Sequence, residues 1–310
     1  MIKKKIFGNS LKDQLKSSAR DKLYTFLMAD GAIRGGIVHG TKMINEMRVN
    51  HELGILETLV LGHGYLAAGL MSSNLKGNDR ITIHVECSGP IKGLTVEANA
   101  FGEIRGFLKN VPIPIDKPLE DFNLSKFFGA GFLTVTKHLE DAKQPFSGKI
   151  MIEYGSLAKD LVNYYIQSEQ IPSSLNLSIQ FDKEGSVIGA GGILLQVLPG
   201  AGEKISESLE KLVFQLPSIG YTFSKGIEPI ALISDAFKEL SPEFLGNYRV
   251  EFMCHCSEDK IKEMLEILSA ADLKDILDNG PFPVEIRCNN CNTLFQFSEM
   301  DIRTIYQGRH

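Results

Sequence analysis

The chain alternates between two hydrophobic rhythms. Between Leu53 and Leu75, Leu59, Leu66 and Leu70 interleave with Gly62, Gly64, Ala67, Ala68 and Gly69. Small residues at that density predict a helix packed closely against other backbone, with some helix propensity lost to glycine. A period of two then takes over. Ile81, Ile83, Val85 and Cys87 alternate with Thr82, His84 and Glu86, which predicts a half-buried strand ended by Ser88-Gly89-Pro90. Leu94, Val96 and Ala98 repeat the pattern, and further strands are expected at 104–108, 132–136 and 149–152. Helical spacing returns at Leu157, Leu161, Tyr164 and Tyr165, in a helix over 157–167 that Pro172 stops. Leu175, Leu177, Ile179 and Phe181 alternate again. The turn residues Asp182 to Gly185 then lead into the apolar run 193–198 as a closing hairpin. Short turns between neighbouring strands favour an antiparallel sheet, so the expected fold class is α+β.

Pro199-Gly200-Ala201-Gly202 breaks this pattern. Ile205, Leu209, Leu212, Val213 and Leu216 then follow at helical spacing up to Pro217. A second helix is expected over 229–240, with Ile230, Ile233 and Phe237 apolar. Two such helices hold too little core to stand alone, so their apolar faces need a partner. After Ser241-Pro242, Ser257 is placed to cap a helix carrying Ile261, Met264, Leu265 and Leu268. A short helix over 270–277, a turn at Asp278-Asn279-Gly280 and a strand over 284–287 complete the segment. The expected domains are an α+β core of mixed helices and mainly antiparallel sheet over 1–199, a helical linker over 200–247, and a small C-terminal domain over 248–310.

Composition narrows the classes. Of 310 residues, 43% are hydrophobic and 23% charged, which fits a globular protein. The net charge of -5 gives no global attraction to nucleic acid or to an anionic membrane. The apolar stretch over 55–71 is interrupted by Glu57 and His63 and is not expected to span a bilayer. Met1-Ile2-Lys3-Lys4-Lys5-Ile6-Phe7 has no apolar run behind its basic start, so no secretory signal is read there. The expected location is the cytoplasm, where thiols stay reduced and clustered cysteines point to metal or redox chemistry.

Four of the five cysteines cluster, as Cys254-His255-Cys256 and Cys288-Asn289-Asn290-Cys291. Each pair brings two sulfurs together at low entropic cost, which suits a tetrahedral zinc site of four thiolates. His255 is wedged between two ligands and is expected in solvent. Zinc in such a site supplies roughly 10–16 kcal/mol of apparent binding free energy, against about 5–15 kcal/mol for the stability of a whole small domain. A segment of this size should therefore depend on the metal to fold. Thiolates on one zinc, with Zn–S bonds of about 2.3 Å, sit roughly 3.8 Å apart. Closing to the roughly 2.05 Å of a disulfide needs only a small movement. The spacing of Cys288 and Cys291 suits a disulfide, whereas that of Cys254 and Cys256 forces a tight ring that is easily reduced again. Cys87 stands alone and reads as a small buried hydrophobe.

The cysteine segment, with Met300-Asp301-Ile302 behind it, resembles the zinc domain of the 33 kDa chaperonin family, a bacterial redox-regulated heat-shock holdase. The likeness extends to Asp30-Gly31-Ala32-Ile33-Arg34-Gly35, Leu75-Lys76, Ser88-Gly89-Pro90-Ile91, the run 96–100 followed by Ile104-Arg105-Gly106, the run 167–172, and the run 191–199. Residues 204–240 match less clearly than their flanks. The resemblance implies an ATP-independent chaperone, not an enzyme, that binds one zinc through Cys254, Cys256, Cys288 and Cys291 and is inactive when reduced. It implies that peroxide or hypochlorite-type oxidants, with unfolding stress, form Cys254–Cys256 and Cys288–Cys291 disulfides. Zinc is then released, the zinc domain and linker unfold, and unfolding proteins are held, often by a dimer. The linker helices supply apolar surface for that release to uncover, and Leu209, Leu212, Val213, Ile230, Ile233 and Phe237 are the candidate client contacts.

Two rivals meet contrary features. A nucleic-acid-binding zinc ribbon needs a basic stripe, but Glu258, Asp259, Glu263, Glu266, Asp272, Asp275 and Asp278 crowd this segment. A thiol–disulfide oxidoreductase needs its nucleophilic cysteine at a helix start, but Cys288 follows an expected strand. Gly129-Ala130-Gly131 lacks the rest of a phosphate loop and reads as a turn. No nucleophile–base constellation stands out.

Overall fold

A computed structural model describes residues 1–4, 6, 21–115, 123–200, 211, 213 and 215–308. In chain order the elements are β1 (Lys22–Met28), β2 (Ile33–His39), α1 (Thr41–His51), α2 (Ile55–Met71), β3 (Arg80–Cys87), β4 (Gly93–Asn99) and β5 (Glu103–Leu108). Next come α3 (Ser125–Phe128), β6 (Gly131–His138), β7 (Phe146–Met151), α4 (Leu157–Tyr164), β8 (Ser173–Phe181) and β9 (Val187–Val197). Then follow α5 (Ile219–Ser224), α6 (Pro229–Ala236), β10 (Glu243–Arg249), β11 (Glu251–Phe252), α7 (Glu258–Glu266), α8 (Ala270–Asn279), β12 (Val284–Arg287), β13 (Leu294–Phe297) and α9 (Glu299–Gln307).

The strands form a five-stranded sheet in the order β10-β1-β2-β9-β8, a six-stranded sheet β11-β5-β4-β3-β6-β7, and the hairpin β12-β13. All these pairings are antiparallel except the short parallel contact of β11 with β5. The fold class is thus α+β, with the mainly antiparallel sheets that the alternating runs predict.

Helix α2 lies between the two large sheets, which explains why it is apolar all round. A Cβ on Gly62 would meet Ile179 of β8, one on Gly64 would meet Val96 of β4, and one on Gly69 would meet Ile104 of β5. The Tyr65 hydroxyl donates to the Gly106 carbonyl in β5 at 3.0 Å. Residues Ile55–Asn74 are long and apolar enough for a membrane span by composition, yet 89% of that window is buried inside the protein. This is a core helix, and its glycines give up propensity for close backbone contact. Strands β3 to β7 turn Ile81, Ile83, Val85, Leu94, Val96, Ile104, Leu133, Val135 and Ile150 inward.

The helix expected over 157–167 is α-helical only to Tyr164 and continues as a π-helical turn over Tyr165–Glu169. In that turn Glu169 accepts from Lys137 and from the Tyr164 hydroxyl. The helix expected over 229–240 is α-helical to Ala236 and closes with a 3-10 turn at Lys238–Leu240.

Contacts divide the chain into two units, residues 4–252 and residues 253–310 together with 1–3. Of the segment 200–247, expected as a separate helical linker, the described residues 215–247 group by their contacts with the first unit. The reason is a second apolar face on the five-stranded sheet. Phe26, Met28, Ile33, Ile37, Ile193, Leu195 and Val197 form it, and Val213, Ile219, Phe223, Leu232, Ile233 and Phe237 cover it. Strand β10 then extends the same sheet by pairing with β1. The second unit has its own core of Ile261, Leu265, Leu273, Phe297, Ile302 and Ile305.

Candidate metal centre

The four clustered cysteines arrive from two local structures. Cys254 and Cys256 lie in the irregular stretch between β11 and α7 that ends at Ser257, whose hydroxyl accepts from Lys260 N–H and caps α7 as expected. Cys288 and Cys291 lie in the loop between β12 and β13. That loop is closed by Cys288 N–H donating to the Thr293 carbonyl at 3.0 Å and by Asn292 N–H donating to the Cys288 carbonyl at 2.7 Å. Asn292 takes the left-handed conformation, φ 55°, that turns the chain back into β13.

All four sulfurs lie within 4.8 Å of one another. The Cys254 sulfur is 3.8 Å from that of Cys288, and the Cys256 sulfur is 3.3 Å from that of Cys291. Both contacts run between the pairs. Thiolates on one tetrahedral zinc stand at about 3.8 Å, so the set fits a single ion with only small movements. No disulfide joins any of the five cysteines. Cys254 and Cys291 are buried, at 2% and 0% exposure, while Cys256 and Cys288 are half-buried. One side of the cluster therefore faces core and the other can meet a small solute.

The electrostatics separate the thiols. Hydrogen bonds from the thiols of Cys254 and Cys288, helped by Thr293, hold the Cys291 thiol down at about 3. The same exchange with Cys254 and Cys291 pushes Cys288 up. Thr293 carries no mark in the linear pattern beyond a hydroxyl two residues past the last cysteine. In the fold that hydroxyl lies 3.2 Å from the Cys291 sulfur and also accepts the Ile2 N–H at 3.4 Å.

His255 is exposed and outside the sulfur cluster, as expected. Its carbonyl accepts from the Lys260 ammonium at 2.9 Å. Cys87 is 8% exposed at the end of β3, and burial pushes its thiol up, which fits a small hydrophobe.

The six candidate client contacts fall in three groups. Val213, Ile233 and Phe237 are buried on the outer face of the five-stranded sheet, at 4%, 0% and 2% exposure. Ile230 points outward at 44% exposure. Leu209 and Leu212 lie outside the described residues. Ile219 and Phe223 of α5 join the covering layer although the sequence pattern did not single them out. Ser218 after Pro217, with apolar residues four apart behind it, was the readable signal. The helix docks tightly because a Cβ on Gly189 would stand 2.0 Å from the Gly220 carbonyl oxygen. Ser178 Oγ also accepts the Gly220 N–H at 3.1 Å and lies 2.9 Å from Ser218 Oγ.

Comparison with known proteins agrees in extent. A family model described as Hsp33 protein matches residues 21–298. The 33 kDa chaperonin of Desulforamulus reducens is 33% identical over 287 residues, 92% of this chain and 97% of the relative. That of Aquifex aeolicus is 32% identical over 93% of this chain and 89% of its own. The crystal structure of the Thermotoga maritima 33 kDa chaperonin superposes with a TM-score of 0.84. It is 28% identical and covers 94% of this chain and 99% of its own.

Proposed function

Because the chain belongs to the Hsp33 family, we propose that it is a zinc-bound holdase chaperone whose four-cysteine centre senses oxidants. The observation that carries this reading is the convergence of Cys254, Cys256, Cys288 and Cys291 within 4.8 Å. An all-thiolate set of that size selects zinc over the harder divalent cations. Bound there, zinc would tie the stretch before α7 to the β12–β13 loop and so hold the second unit folded.

The half-buried Cys256 and Cys288 are the sulfurs an oxidant reaches first. Each disulfide gives two electrons to peroxide or hypochlorite and removes two thiolates from the ligand set. We assign the disulfides as Cys254–Cys256 and Cys288–Cys291, since each closes only a short local loop. The contacts of Cys254 with Cys288 and of Cys256 with Cys291 favour a second, crossed reading. Peptide mapping of the oxidised, unreduced protein separates the two.

With the second unit unfolded, the covering segment is held only by its packing on the sheet and by the pairing of β10 with β1. Its undocking would uncover Val213, Ile233 and Phe237, and with them the sheet face carrying Phe26, Ile33, Ile37 and Leu195. Apolar surface of that extent binds unfolding chains without a nucleotide. In this reading the active state is a dimer through the same surface, formed only after release, in the cytoplasm.

The test is zinc release measured beside suppression of citrate synthase aggregation, before and after peroxide with mild heating. Zinc release and protection should rise together. Retained zinc with no gain of protection would overturn the sensor while leaving the metal site in place.

A further inference from the structure

We propose that a cleft at the end of α2, on the face of the five-stranded sheet turned away from α5 and α6, binds a small oxyanion through Arg34. The cleft has a volume of about 130 Å³, many times the roughly 10–15 Å³ that one water requires. Thr25, Arg34, Ser73, Asn74 and Gln196 supply the polar side chains of its lining. Among the described residues, Arg34 is the one charged side chain in this lining.

The guanidinium is held in place but not neutralised. Arg34 Nη2 donates to Gln196 Oε1 at 2.7 Å. Gln196 is 2% exposed, and its own Nε2 donates to Ser173 Oγ at 3.1 Å. Ser173 Oγ in turn donates to the Ile171 carbonyl at 3.0 Å. This relay orients the amide oxygen toward Arg34, so the fork is fixed before any ligand arrives. Other arginines are matched to carboxylates, Arg105 to Glu97, Arg249 to Glu251 and Arg303 to Glu299. Arg34 has a neutral amide instead. Glu169, the carboxylate on the π-helical turn nearby, is taken by Lys137 and Tyr164. A fixed guanidinium with spare N–H groups, beside hydroxyl and amide side chains in a recess, is the donor set that grips a carboxylate or phosphate.

A competing role is structural. Helix α2 has no basic residue in its last turn, so Arg34 could merely offset the carbonyl end of that helix. The experiment separates the two. The zinc-loaded full chain is melted at constant ionic strength while chloride is exchanged for phosphate or for malonate. The expected result is a saturable rise in Tm, lost in Arg34→Gln and weakened in Arg34→Lys, which keeps the charge without the fork. Should Arg34→Gln fold poorly, Ser73→Ala with Asn74→Ala should shift the saturation midpoint to higher anion. A rise with phosphate alone identifies a phosphoryl ligand, and one with malonate alone a carboxylate. No anion-specific rise in the parent protein overturns the proposal, as does an equal rise in Arg34→Gln.

Discussion

Two buried ionisable side chains set opposing pH dependences in the first unit. Asp21 is 4% exposed, and its carboxylate accepts the Met43 N–H at 2.6 Å at the start of α1. The helix needs this distant cap because Gly40 occupies its N-cap. Burial raises the Asp21 carboxyl to about 7 from the usual 3.8. Its contribution to stability is complete below the unfolded value and is lost as pH rises through 7. His63 on α2 is the reverse case. Burial lowers it to about 4 from 6.5, so its contribution is complete above 6.5 and is lost as pH falls through 4. At about 1.4 kcal/mol for every tenfold change in proton affinity, Asp21 is worth up to roughly 4 kcal/mol over its window and His63 up to roughly 3 kcal/mol. The two slopes oppose between about 4 and 6.5. Asp21→Asn should therefore gain stability relative to the parent as pH rises from 5 to 7. His63→Gln should lose it over the same range. Urea titrations of the full chain at three pH values read both differences, and parallel profiles would refute the assignment.

Among the elements, the docking of α5 on β9 is the contact most open to a single substitution. Gly189 has no positive φ, so a side chain there costs space and not backbone strain. The space is missing, because the Gly220 carbonyl oxygen and the Ser224 nitrogen would lie 2.0 and 2.8 Å from a Cβ. Gly189→Val should displace α5 at a cost of about 1–3 kcal/mol. Zinc-loaded, reduced protein should then bind more of a hydrophobic dye and protect citrate synthase without oxidant. Unchanged dye binding and no protection would show that α5 does not guard the apolar face. Ile230 offers the complementary test because it is already exposed. Ile230→Glu should leave the reduced protein as stable as the parent, within about 0.5 kcal/mol, while lowering client protection by the oxidised form. Full protection by that variant would remove Ile230 from the contact surface.

At the scale of the molecule, the division at residues 252 and 253 predicts an order of events. The second unit has a small core of its own and a metal-sized thiol cluster. The first has two large sheets around a buried helix. Hydrogen exchange after chelation and mild oxidation should lose protection first in 258–305. Loss in α5, α6 and β10 should follow, and β3 to β6 should stay protected. Simultaneous loss in β3 and the second unit would contradict this order. Strand β10 is a natural last point of retreat, since it is an edge strand bound on one side only, to β1.

The local patterns and the chemistry were legible in the linear chain. The period-two runs at Ile81 to Cys87 and Leu94 to Ala98 became β3 and β4 because one face of each is buried and the other is not. The apolar run with its glycines became α2, and the two cysteine pairs carried their own spacing. The first strands were not legible. In β2, Gly35 and Gly36 interrupt the alternation, and the reason lies elsewhere, since a Cβ on Gly35 would stand 2.2 Å from the Phe26 ring in β1. Strand β10 was hidden for a related cause. It has one neighbour and mostly exposed residues, so no hydrophobic period marks it. The docking of 219–249 on the five-stranded sheet was likewise a matter of tertiary packing. An amphipathic pattern says that a face must be covered but not by what, and only the second apolar face of the five-stranded sheet decided it. Convergence of the four sulfurs follows the same division. Spacing brought each pair together, and the fold of the second unit brought the pairs to one another.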